Sequence, residues 1–131
     1  MRTSTNAHIQ SLFEASNRGR LHFGELIGEL AREQVESYDV DYRAGRTTCH
    51  LHDDATLDVA CERPVHAIAD TFDAGALRAA ILGAQQGRVM YPEFRQLSQQ
   101  AGCIGYAVWI AGRHVTYHGR RGETHVERFP D

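Results

Sequence analysis

Histidines, cysteines and acidic residues carry most of the chemistry open to this chain, and they fall into three groups. The tightest is Cys49-His50-Leu51-His52-Asp53-Asp54. On an extended strand His50 and His52 project from one face, so two imidazoles could share a soft divalent metal while Asp53 or Asp54 completes the shell. The competing reading is a solvent-facing hairpin strand, because a structural zinc site wants four committed ligands. That reading is preferred, and no metal or other cofactor is expected. The second group is His114 and His118, which share a strand face with Thr116, together with His125 on the next strand. With Glu127 close by, a His/Glu pair for general acid-base work is conceivable, given a pocket that excludes water and shifts pKa values. The third is Cys103, where a helix gives way to a strand between Gly102 and Gly105. His118 or His125 could activate its thiol as a nucleophile; otherwise it is a small buried core residue.

Two other features suggest binding. The strand alternation that turns Ile104, Tyr106, Val108 and Ile110 inward leaves Trp109 on the wet face with Cys103, Gly105 and Ala107. An indole on a small-residue strip either anchors a contact, hypothetically a homodimer or a partner protein, or is covered by Phe129-Pro130. Arg113, Arg120 and Arg121 stand at the adjacent turn tips, where an acidic protein, an anionic ligand or a nucleic acid could dock. The formal net charge of −3 argues against nucleic acid.

All 14 basic residues are arginine. The absence of lysine removes Schiff-base chemistry, a phosphate-loop lysine and a pyridoxal anchor. The eight histidines would carry the chain from −3 to positive charge on full protonation. Three cysteines, an odd number without a C-x-x-C pair, disfavour a disulfide framework and suit a reducing cytoplasm. No apolar run approaches the ~20 residues of a membrane span. The expectation is one cytoplasmic domain over residues 1–131, large enough to form its own core.

The elements that must position these residues come twice. Sliding residue n onto residue n + 68 aligns Gly19 with Gly87, Glu25 with Glu93, Tyr38 with Tyr106, His50 with His118 and Thr56 with Thr124. Thr5 or Asn6 can cap a first helix carrying Ile9, Leu12 and Phe13; Asp73 caps its counterpart carrying Leu77, Ala80 and Ile81. Second helices run from about Phe23 and from Tyr91-Pro92. Three alternating strands then follow in each half, beginning near Ser37 and near Ile104. The expected fold is α+β, with helical pairs packed on antiparallel β-meanders in a pseudo-twofold α-α-β-β-β duplication. Residues 5–60 form the first half, 61–72 a connector with a possible edge strand at Val65–Ala69, and 73–128 the second half. Such units cannot bury their apolar faces alone but can share one core.

The run Gly87-Arg88-Val89-Met90-Tyr91-Pro92-Glu93-Phe94, then Ala101-Gly102-Cys103-Ile104-Gly105-Tyr106-Ala107-Val108 and Gly112 through Pro130, resembles the YbcV-like family. This is a bacterial and prophage domain of unknown function, sometimes labelled phage envelope protein. The resemblance extends to Val35-Glu36-Ser37-Tyr38-Asp39-Val40-Asp41 and implies membership, with no active site to carry over. The first meander departs from the pattern at Thr48-Cys49-His50. Three functional classes remain open. The leading one is a non-catalytic module that binds a protein or small ligand. A small hydrolase or redox enzyme built on Cys103 with His118 or His125 is the second, and a nucleic-acid adaptor using Arg113, Arg120 and Arg121 the third.

Overall fold

The structure is a computed structural model and describes residues 2–130. Helices α1 (Arg2–Asn17) and α2 (Phe23–Arg32) precede strands β1 (Val35–Asp41), β2 (Arg46–Leu51) and β3 (Thr56–Ala60). Helices α3 (Ala74–Gln85) and α4 (Tyr91–Gln100) then precede β4 (Cys103–Trp109), β5 (His114–Gly119) and β6 (Thr124–Arg128). The strands form one antiparallel sheet in the order β3-β2-β1-β4-β5-β6. The fold is therefore α+β, and the helix-helix-strands pattern occurs twice.

The recurrence reaches individual residues. Tyr38 faces Cys49 across β1 and β2, and Tyr106 faces Tyr117 across β4 and β5, each position advanced by 68. A bulge interrupts β1 between Val35 and Ser37, and another interrupts β4 between Cys103 and Gly105. Positive backbone φ occurs at Gly19 and Gly87, Gln34 and Gly102, Gly45 and Arg113, and Asp54 and Gly122, four pairs with the same separation. Where the two halves meet, Asp39 pairs with Ala107, its own equivalent, so the pseudo-twofold passes between them.

Local chemistry sets the helix ends. Asp73 Oδ1 accepts from the Ala76 backbone N–H at 3.0 Å and starts α3, while Glu25 Oε1 accepts from His22 N–H at 2.9 Å at the start of α2. Pro92 sits in the first turn of α4, where its missing donor costs nothing. The first helix differs from expectation: it begins at Arg2, so Thr5 and Asn6 lie inside it instead of capping it. No proline or glycine interrupts Arg2–Asn17 to force a later start.

The connector also differs, because Val65–Ala69 adds no strand. Pro64 offers no N–H, and the connector spends its backbone donors on the end of α4: Ala69 N–H bonds to Gln99 O and Asp73 N–H to Ala101 O. All four helices cover one face of the sheet. Between the layers lie Ile9, Leu12, Phe13, Leu30, Leu77 and Ile81 against Tyr38, Val40, Tyr42, Val108 and Val115. The opposite face is bare and carries Asp39, His50, Trp109, His114, His118 and Val126. Among the described residues no helix is long and apolar enough to cross a membrane.

Candidate functional site

All five tyrosines of the chain gather on the helix-covered side. Strand alternation turns Tyr38 and Tyr42 of β1 and its extension, Tyr106 of β4 and Tyr117 of β5 toward the helices, and Tyr91 at the start of α4 meets them. Ring centroids lie 5.9 Å apart for Tyr42 and Tyr106 and 5.4 Å for Tyr106 and Tyr117; Phe13 meets Tyr38 edge-on at 5.0 Å. Tyr106 Oη donates to Tyr91 Oη at 2.9 Å, and the Tyr42 hydroxyl shares a 2.8 Å hydrogen bond with Ser98 Oγ. Among the described residues, neither the Tyr38 nor the Tyr117 hydroxyl has a partner.

These two rings help line a cavity of about 70 Å³ between the helices and the sheet. Its walls are mainly apolar, from Phe13, Leu26, Val40, Ile81, Phe94 and Val115. The two helix-helix loops bring His22, Phe23, Val89 and Met90 to its mouth, joined by Glu127 and Phe129 from the end of the sheet. Phe129 packs edge-on against Phe23 at 5.6 Å, the Arg113 guanidinium lies 5.6 Å above the Phe129 ring, and Arg113 Nη2 donates to Pro130 O at 3.3 Å. The C-terminal segment thus acts as a strap over the mouth. Phe129 does not cover Trp109.

Burial keeps the tyrosines themselves neutral. Burial pushes the hydroxyl pKa of Tyr38, Tyr42, Tyr106 and Tyr117 up, and that of Tyr91 to about 12 despite its bond to Tyr106. Charge does reach the cluster's edges: the Arg95 guanidinium lies 5.8 Å over the Tyr91 ring, and His125, whose Nε2 lies 3.0 Å from Glu127 Oε1, has its imidazole tilted 6.3 Å from the Tyr117 ring. Arg78 Nε stands 4.0 Å from the same carboxylate oxygen.

The candidate residues are dispersed. Cys103 was expected on the wet face with Trp109, but the bulge beside it reverses its side, and it is fully buried in the core. Its thiol donates to Gly105 O, and burial raises its pKa to about 11, so at neutral pH it is protonated. His118 belongs to the bare face, whereas His125 pairs with Tyr117 on the helix side and is held by Glu127. Trp109 is 42% exposed, with the His114 ring stacked near it at 6.4 Å.

The three arginines stand at two turn tips, at opposite ends of β5. Arg113 precedes β5 and Arg120 and Arg121 follow it, which puts roughly 20 Å of strand between them. Arg120 Nη2 donates to Ile68 O at 2.9 Å, and the Arg121 backbone N–H bonds to Glu123. In the first meander His50 pairs with Asp39 at 3.1 Å and His52 with Glu36 at 3.5 Å, each on its own carboxylate. Among the described residues no group of three or more His, Cys, Asp or Glu could hold a metal ion, and Asp53 has interactions of its own.

Comparison with known proteins gives a family without an assigned activity. Residues 10–127 match the family described as Protein of unknown function (DUF1398). The chain belongs to that family. No curated protein matches it. Within this DUF1398 chain, strand alternation turned Tyr106 inward and the repeat matched Tyr38 to it, but Tyr91, Tyr117 and Phe129 were not marked as parts of a cavity. The alternation of Val115 and Tyr117 was the available signal for Tyr117. Nothing local marks Tyr91 or Phe129, whose places depend on how the helix pairs and the strap pack across the sheet.

Proposed function

We propose that this protein is a non-catalytic binding module whose ligand is a small, mainly apolar molecule carrying a hydrogen-bond acceptor. The observation that carries this reading is the apolar cavity lined by the Tyr38 and Tyr117 rings, whose hydroxyls are not committed to a side-chain hydrogen bond among the described residues. An acceptor on a ligand could take a hydrogen bond from either while its apolar body fills the cavity. An apolar cavity of roughly 150 Å³ holds benzene. The smaller space here suits a short chain end, while a ring would require the Phe129 strap to swing out. A protonated, buried Cys103 favours binding over thiol catalysis. The YbcV-like resemblance, with its prophage associations, and a cytoplasmic setting belong to the same proposal.

The test is protein-observed NMR with butanone and acetophenone as probes and ethylbenzene as the acceptor-free comparison. The carbonyl probes should give saturable shifts around Tyr38, Tyr106 and Tyr117, and ethylbenzene weaker ones. Ala84→Leu, which fills the cavity from α3, should abolish them while the protein stays folded. Failure of every probe to saturate, or shifts indifferent to Ala84→Leu, would sink the reading. A second reading, self-association through the bare sheet face, is favoured by Trp109 and by Val126, 56% exposed on that same face.

A further inference from the structure

At the end of the sheet away from the strap, β1 stops, β4 starts and β5 stops: Asp41 pairs with Gly105, and Cys103 with Gly119. The connector crosses this end and leaves a groove of about 490 Å³, lined by Arg43, Arg63, His66 and Arg120 with Pro64 and Val65. Among the described residues no carboxylate lines it. Two of its guanidiniums are anchored to backbone: Arg63 Nε donates to Arg43 O at 3.0 Å, and Arg120 Nη2 to Ile68 O at 2.9 Å. Arg120 also lies 3.6 Å from Asp70, whereas Arg43 and Arg63 have no ion pair among the described residues.

We infer that this groove is an anion site for a phosphate group, free or carried as a phosphomonoester by a small molecule. Three features carry the inference. A chain of net charge −3 gathers three guanidiniums in one concavity, and two of them, Arg43 and Arg63, have no ion pair among the described residues. Anchoring one N–H of a guanidinium to a carbonyl holds the planar fork in place and leaves its other donors for a tetrahedral anion, which a flexible ammonium could not match as well. The cluster also breaks the internal symmetry: the positions equivalent to Arg43 and Arg120 are Ala111 and His52, and the connector that supplies Arg63 and His66 occurs once. The repeated frame therefore does not require this charge. Pro64 and Val65, the latter 77% exposed, offer an apolar rest for the body of a phosphomonoester.

The test is isothermal titration of the full chain with inorganic phosphate and with phenyl phosphate at constant ionic strength. Saturable binding is expected with both. It should weaken about ten-fold or more in Arg43→Gln and in Arg63→Gln and stay unchanged in Arg32→Gln, whose guanidinium pairs with Glu29 on α2. Arg43→Gln is the decisive variant, because Arg63 binds its backbone carbonyl and the fold keeps that contact. Urea midpoints for each variant separate lost binding from lost structure. Equal affinities would assign the free anion, and tighter phenyl phosphate a carried group. The inference is overturned if neither probe saturates by about 10 mM, if Arg32→Gln weakens binding as much as Arg43→Gln, or if a short oligonucleotide binds where neither phosphate does.

Discussion

Removing single hydroxyl groups from the tyrosine cluster distinguishes bonded from unpartnered rings. In Tyr42→Phe the 2.8 Å hydrogen bond to Ser98 Oγ is lost, in the interior, from a fully buried residue. Ser98 Oγ keeps its 3.0 Å bond to Arg95 O, so no orphaned donor is left behind. The cost should therefore lie near the mean for one net hydrogen bond, about 1 kcal/mol, without the larger desolvation penalty. In a chain of this size that lowers the melting temperature by roughly 3–4 °C. Tyr38→Phe removes a hydroxyl with no partner and keeps the edge contact with Phe13, so its effect should be within about 0.5 kcal/mol of zero and can be stabilising. Urea unfolding of wild type and both variants, with equal slopes as the control for two-state behaviour, gives the difference directly. Equal losses in the two variants would refute the reasoning, because Tyr38 would then have a partner that the cavity reading denies it.

Three further outcomes are expected. Stability should fall as pH rises above about 10: the tyrosine pKa values are raised on folding, so their contribution is complete below the unfolded value of about 10 and is lost on the way to the folded one. Cys49 and Cys103, raised to about 12 and about 11, add the same sign from about pH 9; tyrosinate absorbance appearing well before unfolding would contradict this. Under native conditions at neutral pH a thiol reagent should label Cys61, which is partly exposed, and spare Cys49 and Cys103, both 0% exposed; mass spectrometry showing three fast additions would count against the buried assignments. Trp109→Ala should reduce self-association in sedimentation while changing the urea midpoint little, since the indole is 42% exposed; a monomeric wild type at high concentration would remove the contact proposal.

What the sequence determined by itself was whatever repeats locally. The offset between Gly19 and Gly87, the alternation through Tyr38, Val40 and Tyr42, the cap at Asp73 and the first-turn Pro92 specify helices, turns and strand faces, because these depend on a few neighbouring residues and on backbone sterics. The same locality explains the misreadings. A bulge shifts strand phase by one residue without a strong residue signature, so Cys103 changed sides; the connector's backbone had partners on α4 that no spacing rule could reveal, so Val65–Ala69 stayed out of the sheet. Only the tertiary structure decided the sites. It joined the halves across Asp39 and Ala107, enclosed a cavity beneath helices from both, and drew Arg43, Arg63 and Arg120 into one groove from three separate segments. Those juxtapositions arise from packing two layers around a pseudo-twofold, a long-range event that the composition of each segment permits but does not specify.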